Sequence, residues 1–291
     1  MDILRIGAEW FFRCCFLVGS FGAGIAFIYG WWVLGILLGI CFGLLLYMRF
    51  IEPHWYEVVT HHFSLRDGVK RGVRIVFLSD IHAGHQKTKR AYNRIWQKVQ
   101  SLQPDIVLFG GDFVEVLGAA IHDLEGISQI QPSIGTFFVL GNHDYWDDPS
   151  LIARVLKEIG AQDLTNACVQ IGEGGLGFSL VGLDDAWLGT PRIEVMPPAA
   201  QPTILLTHES DILIDLPEGA ADLVFLGHTH GGQIRLPWKG AVTTLPQSTP
   251  QWLDRGLKEW RRMRLIISQG LGESTMGVRF WARPQIVVVE I

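Results

Sequence analysis

Only four cysteines occur in 291 residues, and no two of them form a Cys-x-x-Cys pair. Cys14, Cys15 and Cys41 fall in one apolar region and Cys168 stands alone, which excludes a disulfide framework and a thiolate metal or redox site. Excess positive charge is missing too. The formal net charge is −5 and the pI near 6.0, so there is no basic footprint for nucleic acid. Internal repeats and low-complexity tracts are absent. The most informative absence is local: from Cys14 to Met48 there is no charged residue. One helix of that length would rise about 50 Å, against a hydrocarbon core of about 30 Å, so two spans fit it better than one.

The stretch therefore reads as a membrane anchor over residues 1–51, a helical hairpin turning at "IYGWW" (Ile28 to Trp32), with one long tilted span or a re-entrant segment as alternatives. Arg5 and Arg13 precede it and Arg49, Lys70, Arg71 and Arg74 follow it, so the positive charge lies on one side, which the positive-inside rule makes cytoplasmic. A signal peptide fits less well, because the run is too long and no small-residue cleavage site follows it. Residues 52–72 read as a linker and 73–291 as the catalytic domain. A basic stretch, "LKEWRRMR" (Leu257 to Arg264), reads as a solvated face, with lipid head groups as a second use.

Beyond the linker the pattern is α/β. Apolar runs recur at "VRIVFLSD" (73–80), "DIVLFGGD" (105–112), "GTFFVLGNHD" (135–144), "FSLVGLDD" (178–185), "PTILLTHE" (202–209), "DLVFLGHTH" (222–230), "RLIISQG" (264–270) and "QIVVVEI" (285–291). Amphipathic stretches of helical length separate several of them, notably 88–102 and 149–160, the latter opened by Pro149 and closed by Gly160. Five of the runs end in Asp, His or Asn within two residues of a glycine. In open α/β sheets ligands bind off the carboxyl ends of the strands, so this recurrence points to one shared site.

The polar residues at those ends are Asp80 and His82 in "SDIHAG", Asp112 in "GGDF", Asn142, His143 and Asp144 in "GNHDYW", His208 in "THES", and His228 with His230 in "GHTHGG". Carboxylates, imidazoles and an amide together suit borderline-hard divalent ions such as Mn²⁺, Fe²⁺ or Zn²⁺. Five imidazoles and two carboxylates are too many for one ion.

In their order, Asp-x-His, Gly-Asp, Gly-Asn-His-Asp, His and Gly-His-x-His, these blocks resemble the calcineurin-like metallophosphoesterase superfamily from about Val73 to the end. They are most similar to its membrane-anchored phosphodiesterase branch, which includes an enzyme that cleaves UDP-2,3-diacylglucosamine in lipid A synthesis. The resemblance implies a two-sheet sandwich flanked by helices (αββα) and two divalent ions, Mn²⁺ first, with Fe²⁺, Zn²⁺ or Mg²⁺ as substitutes. It implies one ion on Asp80, His82, Asp112 and His230, and a second on Asp112, Asn142, His208 and His228, with Asp112 bridging. His143 is left to face the substrate as the catalytic residue. His85, Asp144, Trp187 and Trp252 are expected to contact substrate, with Asp144 alternatively orienting an imidazole or capping a helix.

Relatives commonly continue the lone histidine as His-x-Pro-Asp, whereas this chain has Glu209 and Ser210, which changes the expected loop shape. The resemblance also implies a bacterial inner membrane location with the catalytic domain in the cytoplasm. The partners expected are the bilayer and an amphiphilic phosphate ester, with no nucleic acid and no obligate protein partner. The catalytic mouth is expected to face the membrane near Phe50 to Trp55. A metal-free scaffold of the same fold is the alternative class, and it would lack ligands that this chain has.

Overall fold

The computed structural model describes residues 2–66, 72–84, 87–115, 121–172, 177–198, 200–244 and 247–291, with the side chains of 2–9 and 11 left aside. At the N-terminus α1 (Asp2–Ile28) and α2 (Trp32–Leu46) run antiparallel about a turn in which Gly30 takes φ +78°. Small residues let them approach. A Cβ on Gly35 would fall 2.7 Å from the Phe27 ring, and Phe16 meets Phe42 edge-on at 5.1 Å. Helical structure continues past α2 through a π turn, Tyr47–Ile51, and a 3₁₀ turn, Glu52–His54. Among the described residues Trp32–His54 is the one helical run long and apolar enough to cross a membrane, and the apolar part of α1, Phe12–Ile28, is shorter. The expected pair of spans thus reduces, among the described residues, to one helix with the length and composition of a span.

The segment expected as a linker does more than connect. Glu57–His62 forms β1, which pairs in parallel with the last strand, β14 (Gln285–Glu290), and buried Glu52 accepts the Ala282 N–H at 2.7 Å. A short, alternating run at a sheet edge carries too weak an apolar signal to be seen beside the long buried runs.

Two six-stranded sheets make the catalytic domain. The first has the order β1-β14-β2-β3-β4-β5, where β2 is Arg74–Leu78, β3 Ile106–Gly110, β4 Gly135–Val139 and β5 Ala161–Asp163. The second runs β12-β13-β9-β8-β7-β6, with β6 Ala167–Ile171, β7 Phe178–Gly182, β8 Thr203–Leu206, β9 Leu223–Leu226, β12 Gly256–Trp260 and β13 Met263–Ile267. Between β9 and β12 in sequence lies a small hairpin of β10 (Arg235–Leu236) and β11 (Gly240–Ala241). The basic stretch 257–264 is thus a β-hairpin, turning at Arg261 and Arg262, both at positive φ.

Alternate residues of the central strands face opposite ways, so each strand serves two cores. Ile75, Phe77, Leu108 and Phe137 face Leu180, Leu206 and Phe225 of the other sheet, with the Phe77 and Phe225 rings 5.0 Å apart. Val76, Leu78, Phe109 and Phe138 face outward, against Tyr92, Ile95 and Trp96 of α3 (Lys89–Ser101) and Ile152 and Leu156 of α6 (Pro149–Glu158). Thr88 caps α3, and Asp148 caps α6 by accepting the Leu151 N–H. The short helices α4 (Ile121–Leu124) and α5 (Asn142–Trp146) follow β3 and β4. This is the expected sandwich of two sheets flanked by helices.

Candidate active site

Strands β2, β3 and β4 are parallel neighbours in one sheet and β8 and β9 in the other. The segments leaving their carboxyl ends carry, in turn, Asp80 with His82, Asp112, Asn142 with His143, His208, and His228 with His230. Five of these residues sit at positive φ: Asp80 (51°), His82 (43°), Asp112 (55°), His228 (67°) and His230 (50°). For non-glycine residues that conformation is unfavourable, and such strain gathers at functional sites. The neighbouring glycines make the crowding sterically feasible. A Cβ on Gly141 would lie 2.4 Å from Asp112 Oδ1, and one on Gly227 2.8 Å from Asp80 Oδ2.

All seven candidate ligands converge and all are buried. Asp80, His82, Asp112 and His230 form one group, and Asp112, His208 and His228 a second, so Asp112 belongs to both. His82 Nε2 lies 3.0 Å from His230 Nε2 and 3.5 Å from Asp112 Oδ2, and His208 Nε2 lies 3.2 Å from the same Oδ2. The side-chain amide oxygen of Asn142, Oδ1, is 3.1 Å from His228 Nδ1.

Do these residues fit divalent ions? His82 Nε2 and His230 Nε2 face each other at 3.0 Å, and His228 Nε2 is buried without a hydrogen-bond partner, an unmet polar cluster that costs about 1–3 kcal/mol per group and that a cation among these nitrogens and the Asp80 and Asp112 carboxylates would relieve. Their neighbours also press them into opposite charge states. Burial works against a charged His82, but the carboxylates of Glu115, Asp112 and Asp80 prevail and raise it to about 9. Burial and the nearby His208 push His228 down to about 3. Nitrogen and oxygen donors packed this tightly, with unmet lone pairs and no thiolate, match the donor chemistry of two borderline-hard cations.

Glu115 is the functional residue that sequence reasoning missed. Its Oε2 lies 2.7 Å from His82 Nδ1 and 3.1 Å from His143 Nδ1, while its Oε1 accepts the Thr275 N–H. Burial opposes its ionisation, yet His143 and His82 hold it below the usual carboxylate range. One carboxylate thereby sets the ring orientation of a candidate ligand and of the candidate catalytic histidine. Its position three residues beyond Asp112, in the run after "GGD", was the available signal. His143 keeps Nε2 toward the opening, 3.4 Å from Ser274 Oγ, and its ring meets Trp146 at 4.4 Å.

Asp144 departs from its expected substrate role. Fully buried, it accepts the N–H groups of Gly141, Asp112 and Phe113, and so joins the segments that carry Asn142 and Asp112. It is a cap and a brace, with no face left for substrate. Burial pushes its carboxyl up to about 7, and the Asp112 charge adds to that effect. Trp187 rests its ring on His228 at 4.5 Å, tied by Nε1 to Asp211, and so borders the site. Trp252 does not belong with these residues: it lies half exposed in a turn with Lys258 over its ring at 5.8 Å. His85 lies outside the described residues. Glu209, where relatives carry the other loop sequence, is buried and accepts the Ala186 N–H, linking the His208 segment to the one bearing Trp187.

The family model of calcineurin-like phosphoesterases matches residues 73–232. The chain is similar to phosphodiesterase YaeI of Escherichia coli, 29% identical across 84% of this chain and 92% of that one. It is also similar to the UDP-2,3-diacylglucosamine pyrophosphatase LpxG of Chlamydia trachomatis, 25% identical across 82% and 90%. A third relative is the uncharacterized metallophosphoesterase YkuE of Bacillus subtilis, 27% identical across 83% and 87%. Because the model spans more than half of the chain and ends at the Gly231-Gly232 pair beside His230, the chain belongs to the calcineurin-like phosphoesterases, metal-dependent hydrolases that work with two divalent ions.

Proposed function

We propose that this enzyme is a phosphodiesterase or pyrophosphatase tethered at the cytoplasmic face of a bacterial inner membrane, acting on an amphiphilic phosphate ester or anhydride. The candidate substrate is UDP-2,3-diacylglucosamine, cleaved to UMP and the acylated sugar phosphate. The observation that carries the reading is the convergence of buried imidazoles on two carboxylates: His82 Nε2 and His208 Nε2 lie 3.5 Å and 3.2 Å from Asp112 Oδ2, and His230 Nε2 lies 3.4 Å from Asp80 Oδ1.

In this reading Asp80, His82, Asp112 and His230 hold one ion, and Asp112, Asn142, His208 and His228 the other, with Mn²⁺ the first choice. When bound, the pair supplies positive charge that draws the phosphate and lowers the pKa of water. The chain's own residues do the rest. The backbone N–H of His143 donates to Asp112 Oδ1 at 2.8 Å, fixing that carboxylate. With Nδ1 turned to Glu115, His143 presents Nε2 as the atom that hands a proton to the leaving oxygen. Ser274 Oγ and the Trp146 and Trp187 rings border the space in which the phosphate sits.

Support for the substrate comes from LpxG, whose name states that activity. YaeI, at higher identity, bears only the name phosphodiesterase, which favours a broader second reading on another phospholipid or nucleotide. Elemental analysis of the purified full chain, with hydrolysis of bis-p-nitrophenyl phosphate in Mn²⁺, tests the enzyme against a metal-free scaffold. A panel of UDP-linked acylated sugars, phospholipids and cyclic nucleotides then separates the two substrate readings.

A further inference from the structure

Where the anchor meets the catalytic domain there is a cavity of about 710 Å³, and no candidate metal ligand lines it. Tyr47 of the π turn, Trp55 and Glu52, which is occupied by the Ala282 N–H, form its anchor side, and Arg255, Trp281 and Arg283 its domain side, with Glu57 of β1 also on the wall. Gln269 separates it from the metal centre. It takes a hydrogen bond from Arg255 Nη1 at 3.1 Å and lies against Gly231, next to His230.

The arginines around this cavity are held by neutral acceptors and not by carboxylates. Arg255 donates to Gln269 and to the Trp281 carbonyl, and Arg283 donates to the Trp55 carbonyl while stacking on its ring at 4.3 Å. Among the described residues neither arginine pairs with a carboxylate, and Glu57 pairs with no cation. Glu57 lies near enough for its charge to act on Arg255, but no ion pair joins them, so both signs face the cavity. Trp281 stays about half exposed at a positive φ of 57°, a costly conformation for a bulky residue that keeps its ring at the cavity's edge. On the anchor side the wall continues through Leu44 into the exposed apolar face of α2.

We propose that this cavity is a phospholipid seat, separate from the catalytic centre, that takes a zwitterionic phosphoethanolamine head group. Arg255 and Arg283 take the phosphate by charge-assisted hydrogen bonds, Glu57 takes the ammonium, and the acyl chains lie along α2. The volume suits a small ligand. A head group bearing both charges satisfies all three side chains, whereas a purely anionic one leaves Glu57 repelled. The inference rests on the reading that α2 lies in a bilayer.

The test uses the full chain in neutral detergent, titrated with phosphatidylethanolamine, phosphatidylglycerol or free phosphoethanolamine, with bound lipid counted by native mass spectrometry. Wild type is expected to retain one phosphatidylethanolamine per chain, and Arg255→Ala with Arg283→Ala to reduce that retention about tenfold or more. Glu57→Gln should erase the preference over phosphatidylglycerol without disturbing the fold. Hydrolysis of bis-p-nitrophenyl phosphate by each variant reports that the catalytic domain is intact. Equal retention by wild type and variants, or equal affinity for the two lipids in wild type, overturns the proposal. Saturation by free phosphoethanolamine as tight as by the lipid overturns the lipid assignment. Flotation with vesicles distinguishes the underlying reading: a chain that fails to float overturns the membrane anchor and the seat together, and one that floats without selectivity overturns the seat alone.

Discussion

Asp112 Oδ2 lies within 3.5 Å of imidazole nitrogens from both metal groups, so its removal acts on both. Asp112→Ala is expected to abolish hydrolysis and to lower bound metal at both positions, read by elemental analysis. Retention of two ions would show that it bridges nothing. His143 has no place in either group, and His143→Ala should keep its metals while losing about 10²- to 10⁴-fold in rate. Glu115→Gln probes the residue between them. Its amide cannot accept two imidazole N–H groups as the carboxylate does, so metal affinity should fall about 10- to 100-fold and the rate with it. Metal affinity equal to wild type would reduce Glu115 to a packing residue. At this scale the sequence was informative wherever residue type and chemistry coincide, since the seven ligand candidates are the polar residues at strand ends. Glu115, Asp144 and Trp252 resisted because their roles follow from tertiary neighbours: a buried carboxylate that bonds imidazoles and one that bonds backbone N–H groups look alike in a string of letters.

The elements were legible in proportion to how fully they are buried. Every long apolar run beyond the N-terminal segment became a strand, and both amphipathic stretches became helices, α3 and α6, the latter opening at Pro149 as expected. What remained hidden were edge elements, β1, β6 and β12, whose half-exposed alternating residues give a faint signal. The junction of anchor and domain was equally unreadable, because it is built from long-range polar contacts. Arg279 donates its backbone N–H to the Met48 carbonyl and Arg49 reaches the Gly277 carbonyl, while buried Glu273 lies between Lys87 and Arg279. Burial opposes ionisation of Glu273, and the two cations overcome it, so its carboxyl titrates below the usual range. A depressed carboxyl stabilises the fold above its unfolded pKa of about 4.3, and the contribution is lost as pH falls through the lower folded value. Glu273→Gln should therefore destabilise the domain by about 3–5 kcal/mol at pH 7, as expected when one partner of a buried ion pair is removed. The gap to wild type should narrow as the solution is acidified below about pH 4. Urea titrations across that window decide it; a gap independent of pH would show that Glu273 is not the group being protonated.

For the whole molecule the question is why a hydrolase is joined to so apolar a segment. A soluble phosphodiester needs no tether, but a substrate with two acyl chains stays in the bilayer, since about 0.8 kcal/mol per methylene opposes bringing it into water. Hydrogen bonds join the N-terminal segment directly to the active-site wall. The segment from Gly270 to Arg279 touches the anchor at Met48 and Arg49 at one end, and at the other places Ser274 against His143 and Thr275 against Glu115. With the anchor in a membrane, this wall is held near the lipid surface, and Trp187 on His228 offers an apolar border to a substrate arriving from it. Hydrolysis in mixed micelles should then be much faster on a diacylated UDP-sugar than on the same nucleotide sugar without acyl chains. Trp187→Ala should narrow that difference by lowering only the rate on the acylated substrate, and Trp252→Ala, set apart from the site, should leave it unchanged. Rates that do not distinguish the two substrates would separate the tether from substrate delivery, and would leave the enzyme a membrane-held phosphodiesterase whose substrate is taken from water.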